Sequence, residues 1–250
     1  MQPGQYVHVL RPAPRGLLLP VVPVAGFDRA GGSIDTIVEE GSPAAGLLRL
    51  REGDEARFDG PLGRGFEIDA RSRHLLVVAD GSGFPRVRAA VSDAVASSRQ
   101  VTLLYGAPSV AEVMPSSLLP DEAEYVVATA DGSLGHAGSV AELVVEYEAW
   151  ADQCLAAGTG PLLAELADLA RGRDARMGVA RLGRRRGRRT DLVASQARRR
   201  SWLQVALPYE AGCALGVCLG CVVGGADGPV RVCREGPAFG SGELAWEQTA

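Results

Sequence analysis

Four of the five cysteines fall between Gly212 and Cys233, at positions 213, 218, 221 and 233. Their spacing, C-x4-C-x2-C-x11-C, places three thiols on one short loop and brings the fourth back after an excursion. A loop that wraps four thiolates around two irons needs this arrangement, so Cys213, Cys218, Cys221 and Cys233 are candidate ligands of a 2Fe–2S cluster. Gly212, Gly216 and Gly220 interleave with them. Glycine turns through positive φ and lets the backbone approach an inorganic core, whose sulfurs nearby amides can then tune. Other chemistries use the same residue types. Structural zinc more often shows two separated C-x2-C pairs. Disulfides suit small secreted chains, and inert thiols rarely gather three in nine residues, as they do here from Cys213 to Cys221.

The rest of the chain must position that loop. A length of 250 residues allows one large or two modest domains with true cores. With 46% hydrophobic and 22% charged residues the composition is that of a globular protein, and the net charge of −4 singles out no partner. No lysine occurs, so all 26 residues counted as Lys or Arg are arginine. No apolar run has the length of a membrane span. Residues 16–27, GLLLPVVPVAGF, contain two prolines and follow no typical basic start, so they read as strands rather than as a signal-peptide core. A cytoplasmic protein without a membrane partner is expected.

Residues 1–70 read as short strands separated by glycine and proline turns, the pattern of a small antiparallel β barrel. Strand candidates are Tyr6–Leu10, a proline-broken pair within Leu17–Phe27, Ser33–Val38 and Glu55–Phe58. From 71 to 170 the period changes. Apolar strands at Leu75–Ala79, Val101–Tyr105, Tyr125–Thr129 and Cys154–Ala157 alternate with helical spacing at Pro85–Ser98, Val140–Trp150 and Pro161–Ala170, which predicts a parallel nucleotide-binding sheet. Residues 171–200 hold twelve arginines. Such a run is usually a solvated linker, and without interleaved aromatics a nucleic acid partner is not expected. Residues 201–250 form the cluster domain, ending in a strand-like tail at Leu244–Trp246. His136, set among glycines, reads as a surface loop residue and Cys154 as a core residue. No paired carboxylates or nucleophile–base arrangement marks a catalytic residue.

Three segments in this order resemble one family. Residues 60–66, GPLGRGF, resemble its GPLGxGF, and residues 129–138, TADGSLGHAG, its TDDGSxGxxG. The cysteine loop followed by residues 232–239, VCREGPAF, resembles its CGxGxCxGC and VCxxGPVF. The set is similar to the electron-transfer subunit of class 1B, NAD-dependent dihydroorotate dehydrogenase, and covers most of the chain except the arginine segment. The resemblance implies a ferredoxin-reductase-like architecture: a flavin barrel, a nicotinamide domain and a small C-terminal 2Fe–2S domain. It implies electrons passing from the FMN of a catalytic dehydrogenase subunit through the cluster to FAD and then NAD, within a heterotetramer serving pyrimidine biosynthesis. It carries the ligand role onto Cys213, Cys218, Cys221 and Cys233, and flavin contacts onto Pro20, Val21, Val22, Gly41 and Ser42.

Several positions depart from the family pattern. Its flavin motif RPxS is matched by Leu19-Pro20-Val21-Val22, so an arginine and a hydroxyl are replaced by leucine and valine, and a second family arginine falls near Thr36. Charge-assisted contacts to a pyrophosphate are each worth about 1.5–3 kcal/mol, so weakened FAD binding is expected. The barrel is expected to be shortened at its N-terminal end. The family's GGxGxAP turn corresponds to residues 80–85, DGSGFP, and its CGP to Ala157-Gly158-Thr159, without the cysteine. Two further readings stand beside the first: a related reductase subunit serving another redox partner, and a cluster-bearing subunit that binds neither FAD nor NAD.

Overall fold

A computed structural model describes residues 1–10, 19–177, 201–208 and 211–246. The centre is a seven-stranded sheet. β1 (Tyr6–Leu10), β2 (Leu19–Pro23), β3 (Gly26–Asp28), β4 (Ser33–Asp35) and β5 (Arg57–Leu62) precede it in the chain. The sheet itself takes β6 (His74–Asp80), β7 (Gln100–Ala107), β8 (Glu124–Thr129), β9 (His136–Ala137), β10 (Gln153–Ala157) and β11 (Leu203–Ala206). β12 (Ala211–Gly212), β13 (Val222–Gly225), β14 (Gly228–Arg231) and β15 (Ala238–Gly240) complete the strands, β15 as an antiparallel edge of the large sheet. Its order is β15-β11-β10-β6-β7-β8-β9, and every pair other than β11–β15 is parallel.

The parallel strands are buried on both faces, which is why their sequences run apolar without alternation. Leu75–Ala79 and Cys154–Ala157 have no solvent exposure. α1 (Phe84–Ala96) packs on the face presenting Leu75, Val77 and Leu103. α2 (Val140–Tyr147) and α3 (Gly160–Arg176) cover the face presenting Leu76, Val78 and Leu104. α1 starts with Pro85 in its first turn, where a missing N–H matters least. α2 starts with a capping box between Ser139 and Glu142.

The antiparallel strands β12-β2-β1-β5 form a second sheet, and β3 and β4 a hairpin. Val7, Val9, Val22, Val24 and Ala44 fill the space beneath them, joined by Phe27, Ile34 and Leu47. One edge of this sheet is closed from the far end of the chain, since β12 pairs with β2 at Ala211↔Pro20 and Gly212↔Leu19. The connection to the large sheet is held by buried amides. Gln204 accepts from the Glu67 N–H at 2.9 Å and donates to its carbonyl at 2.6 Å, while Gln153 accepts from the Asp69 N–H at 3.0 Å.

Three local expectations are corrected. The strand expected at Glu55–Phe58 lies at Arg57–Leu62, because it follows the register of β1. The helix expected to stop at Ala170 continues to Arg176, so the first arginines of the run lie on a helix. Arg173 stacks on Trp202 at 4.7 Å. The rest of that run, 178–200, lies outside the described residues. The tail at Leu244–Trp246 is no strand: it follows the 3-10 turn Ser241–Glu243 and makes a single bridge, Gly225↔Leu244. No helix among the described residues is long and apolar enough to cross a membrane.

Candidate functional site

β12 leads directly into Cys213, and the loop then winds through three left-handed residues, Ala214 (φ 51), Gly216 (φ 74) and Leu219 (φ 58). Such winding turns successive amides toward one side. The amides of Cys218, Val217 and Leu215 hydrogen-bond the Cys213 sulfur, as does the Cys218 side chain, and Cys213 is drawn down to about 6. Cys221 ends the loop, and the β13–β14 hairpin returns the chain to the short helix α4 (Val232–Glu235), which carries Cys233.

Cys233 meets Cys221. Its N–H lies 3.5 Å from the Cys221 sulfur, and Val232 N–H donates to the Cys221 carbonyl at 3.0 Å. Burial pushes the Cys233 thiol up to about 12, and the hydrogen bond to Cys221 and the charges of Cys221 and Cys213 push the same way, against the Gly216 amide. All four sequence-predicted thiols are thus brought to one loop, in two touching pairs, 213 with 218 and 221 with 233. Among the described residues no group of three or more His, Cys, Asp or Glu side chains is placed to hold a single metal ion. Two thiol pairs with inward-facing amides fit a binuclear iron–sulfur core, in which each iron takes two protein sulfurs.

Arg231 braces the loop from behind. Its guanidinium forks onto Glu235 at 2.5 and 3.1 Å and donates to the Gly216 carbonyl at 3.4 Å. Tyr6 braces it from β1, its hydroxyl donating to the Cys233 carbonyl at 2.9 Å. On the outer side Cys218 is exposed, flanked by Leu215, Val217 and Leu219 at 68%, 72% and 62% exposure.

The expected flavin residues sit in two places. Pro20, Val21 and Val22 are buried in β2, where Val22 belongs to the core beneath the sheet. Their side chains are taken up by the core and present no donor. Gly41 (φ 85) lies in the loop before the 3-10 turn Ala45–Arg49, with open space where a Cβ would stand. Beside it the Ser42 hydroxyl oxygen is buried and has no hydrogen-bond partner among the described residues. The polar end of this site therefore fits a group able to pair with Ser42, whereas the β2 end is open to a ligand through backbone only.

The crevice above the large sheet lies where the chain, having run outward from β6 to β9, returns with β10 on the other flank of β6. Ligands of open α/β sheets bind at such a switch point, outside the carboxyl ends of the strands. Here Asp80, the last residue of β6, spans it. Its carboxylate accepts from the Thr159 N–H and from the Thr159 hydroxyl, both at 2.7 Å. Thr159 is the N-cap residue of α3 and makes no side-chain cap of its own. Gly158 (φ 159) allows the approach, since a Cβ there would stand 1.9 Å from Asp80 Oδ1. Gly83 allows a second one, since its Cβ would stand 2.0 Å from the Ala157 carbonyl oxygen. Burial pushes Tyr105, which packs beneath the crevice strands, up to about 12, aided by the charges of Asp80, Glu39 and Glu112. Sequence reasoning placed a glycine turn here but missed Asp80. The available signal was an acid standing at the first position of a turn whose family counterpart begins with glycine. His136, on β9, contacts Glu142 at 2.8 Å.

Comparison with known proteins agrees with this geometry. The family model for the iron–sulfur cluster binding domain of dihydroorotate dehydrogenase B matches residues 211–245. The electron transfer subunit of dihydroorotate dehydrogenase B (NAD(+)) from Desulforamulus reducens is 28% identical, over 98% of this chain and 87% of its own length. That from Shouchella clausii is 28% identical over 97% and 86%. A probable counterpart from Thermococcus kodakarensis is 26% identical over 95% and 84%. Among solved structures, an NADH-dependent reduced ferredoxin-NADP oxidoreductase aligns with a TM-score of 0.73, at 22% identity, over 99% of this chain and 80% of its own. The ferredoxin reductase of carbazole 1,9a-dioxygenase aligns at 0.54 and 19% identity, over 69% and 56%. The chain thus has the ferredoxin-reductase fold with a C-terminal iron–sulfur binding segment, and nearly its whole length resembles the electron transfer subunits of dihydroorotate dehydrogenase B.

Proposed function

We propose that this chain is an electron-transfer subunit that carries a 2Fe–2S cluster on Cys213, Cys218, Cys221 and Cys233. It exchanges electrons between a dihydroorotate-dehydrogenase-like catalytic subunit and NAD, in pyrimidine biosynthesis. The observation that carries this reading is the meeting of two thiol pairs on a loop tied to both β1 and β2. A bound cluster supplies one-electron transfer. The chain's own part is to hold the four sulfurs, to aim the amides of Leu215, Val217 and Cys218 at one of them, and to bury Cys233 while leaving Cys218 exposed. The exposed rim of Leu215, Val217 and Leu219 supports docking of the catalytic partner next to the cluster. That partner carries FMN, and the assembly is a heterotetramer in the cytoplasm.

FAD, when bound, supplies the exchange between single electrons and hydride equivalents. Ser42 and Gly41 would meet its polar end, and Pro20, Val21 and Val22, whose side chains are buried, would meet it only through the backbone of β2. The dinucleotide would lie at the crevice above β6 and β10. The apolar character of β2 also favours a second reading, a subunit that keeps its cluster with low flavin occupancy. Iron, sulfide and flavin per chain, measured on anaerobically purified protein, decide between them. Two irons and two sulfides with visible absorbance are expected, and Cys218→Ser should abolish that absorbance. Colourless, iron-free protein would refute the electron-transfer reading. Cluster without flavin would leave the second.

A further inference from the structure

An open groove lies at the end of the large sheet opposite the crevice, where β7 and β8 begin at Gln100 and Glu124. We propose that it is the docking site of this chain's own arginine-rich segment, residues 178–200. The groove has a volume of about 900 Å³ and is lined by Glu122, Glu124, Glu146, Arg99, Tyr147 and Trp150. Three carboxylates stand there against one guanidinium, and that of Arg99 is turned onto the Ser72 carbonyl at 3.1 Å. The buried Thr102 hydroxyl donates to Glu124 at 2.7 Å and holds it at the start of β8. Burial raises the Tyr147 phenol above its ordinary value, and the charges of Glu124 and Glu146 push it further, so both bear on the aromatic part of the groove. The ion pairs formed nearby use other acids, Glu148 with Arg176 and Asp174 with Arg173.

Charge and attachment both select the occupant. Residues 178–200 carry nine arginines and one acid, Asp191. A guanidinium forks onto carboxylates and stacks on aromatic rings. The groove offers both partners, with Tyr147 and Trp150 edge to face at 6.3 Å. The flanks of the segment already make contacts of this kind. Before it, Arg176 pairs with Glu148, and Arg173 stacks on Trp202 at 4.7 Å. After it, the Trp202 indole N–H donates to the Ala151 carbonyl at 3.0 Å. Glu148 and Ala151 stand on either side of Trp150 in the chain, so the segment departs and returns at the margin of the groove. A segment joined to that margin at both ends meets the groove at an effective concentration that a separate molecule does not reach. The groove's lining lies within 95–102, 122–124 and 146–150, apart from the cysteine loop, so docking pairs the arginines and leaves that loop free.

The test is limited digestion of the full-length chain by trypsin, which cuts after arginine, at low and at high salt. A synthetic peptide of residues 178–200 reports the salt dependence of trypsin itself. At low salt, cleavage within 178–200 of the wild type should be about tenfold slower than in the peptide, and it should approach the peptide's rate as salt screens the ion pairs. Glu122→Lys/Glu146→Lys should be cut at the peptide's rate at both salt levels. Both positions are exposed, and should the double reversal fail to fold, Glu122→Gln/Glu146→Gln carries the test with a smaller acceleration. Wild type cut as fast as the peptide at low salt overturns the proposal. Equally slow cleavage in wild type and variants overturns it as well, since the segment is then held elsewhere. Protection that disappears on dilution gives the groove to the segment of a second copy and overturns docking within one chain. The proposed electron-transfer function is read separately, by the cluster's absorbance, and does not fall with any of these results.

Discussion

Replacing Tyr6 by phenylalanine tests whether the cluster loop is held by the antiparallel sheet. The Tyr6 hydroxyl donates to the carbonyl of Cys233 at 2.9 Å, and both residues are 2% exposed. Phenylalanine keeps the ring and its packing, so no cavity opens, but a buried acceptor loses its donor. The penalty for such a group is about 1–3 kcal/mol. Because the cost falls on the closed state, in which α4 is bonded to β1, the local open state becomes about 5- to 150-fold more populated. A chelator removes iron from the open state, so the visible absorbance should bleach faster by a factor in that range. The midpoint of urea unfolding should fall with an unchanged slope. An unchanged bleaching rate together with an unchanged urea midpoint would refute the idea that this contact fixes the fourth sulfur.

Two further outcomes follow from named contacts. His8 is buried on β1, its Nε2 has no partner among the described residues, and burial holds its pKa below 6.5 against the pull of Asp59. The folded state therefore resists protonation more than the unfolded one. The stability tied to neutral His8 is complete above about pH 6.5 and is lost as pH falls from there toward the lower folded value; His8→Leu should remove this slope from a series of thermal midpoints. Arg231 feels the charges of Cys233 and Cys221 and is neutralised by Glu235. Arg231→Gln should lower the cluster's midpoint potential and Glu235→Gln should raise it, and a redox titration in which neither moves would discard the guanidinium as a tuning group.

The cysteine centre was legible because its chemistry is written locally: three thiols within nine residues, glycines between them and a fourth thiol a hairpin away. The parallel sheet was legible for a related reason. Strands buried on both faces, such as Leu75–Ala79, announce themselves as unbroken apolar runs, and the helices between them keep their own period. What sequence could not supply was long-range. The pairing of Gly212 with Leu19 depends on a contact spanning most of the chain, and two residues of strand leave no pattern. The α3 boundary was misplaced because a run of arginines reads as solvated loop. Arginine is a good helix former, and the stacking of Arg173 on Trp202 rewards continuing the helix. Asp80 was passed over because an aspartate before a glycine normally signals a turn. Only the fold reveals that the residue opposite it is the start of another helix.

The same long-range contacts decide how electrons can move through the molecule. β12 runs straight into Cys213, so the first thiol is covalently continuous with a strand hydrogen-bonded to β2, and Cys233 is tied to β1. A flavin resting against β2 would sit at a separation from the cluster that domain motion cannot vary, because the cluster loop and the flavin wall are parts of one sheet. The crevice end differs. It belongs to the large sheet, and the segment leading into that sheet is pinned through the amides of Gln153 and Gln204. At one end the buried Ser42 hydroxyl has no partner among the described residues, and at the other Asp80 accepts from the Thr159 N–H. A scaffold this fixed around its four thiols leaves their distance from β2 set by the fold.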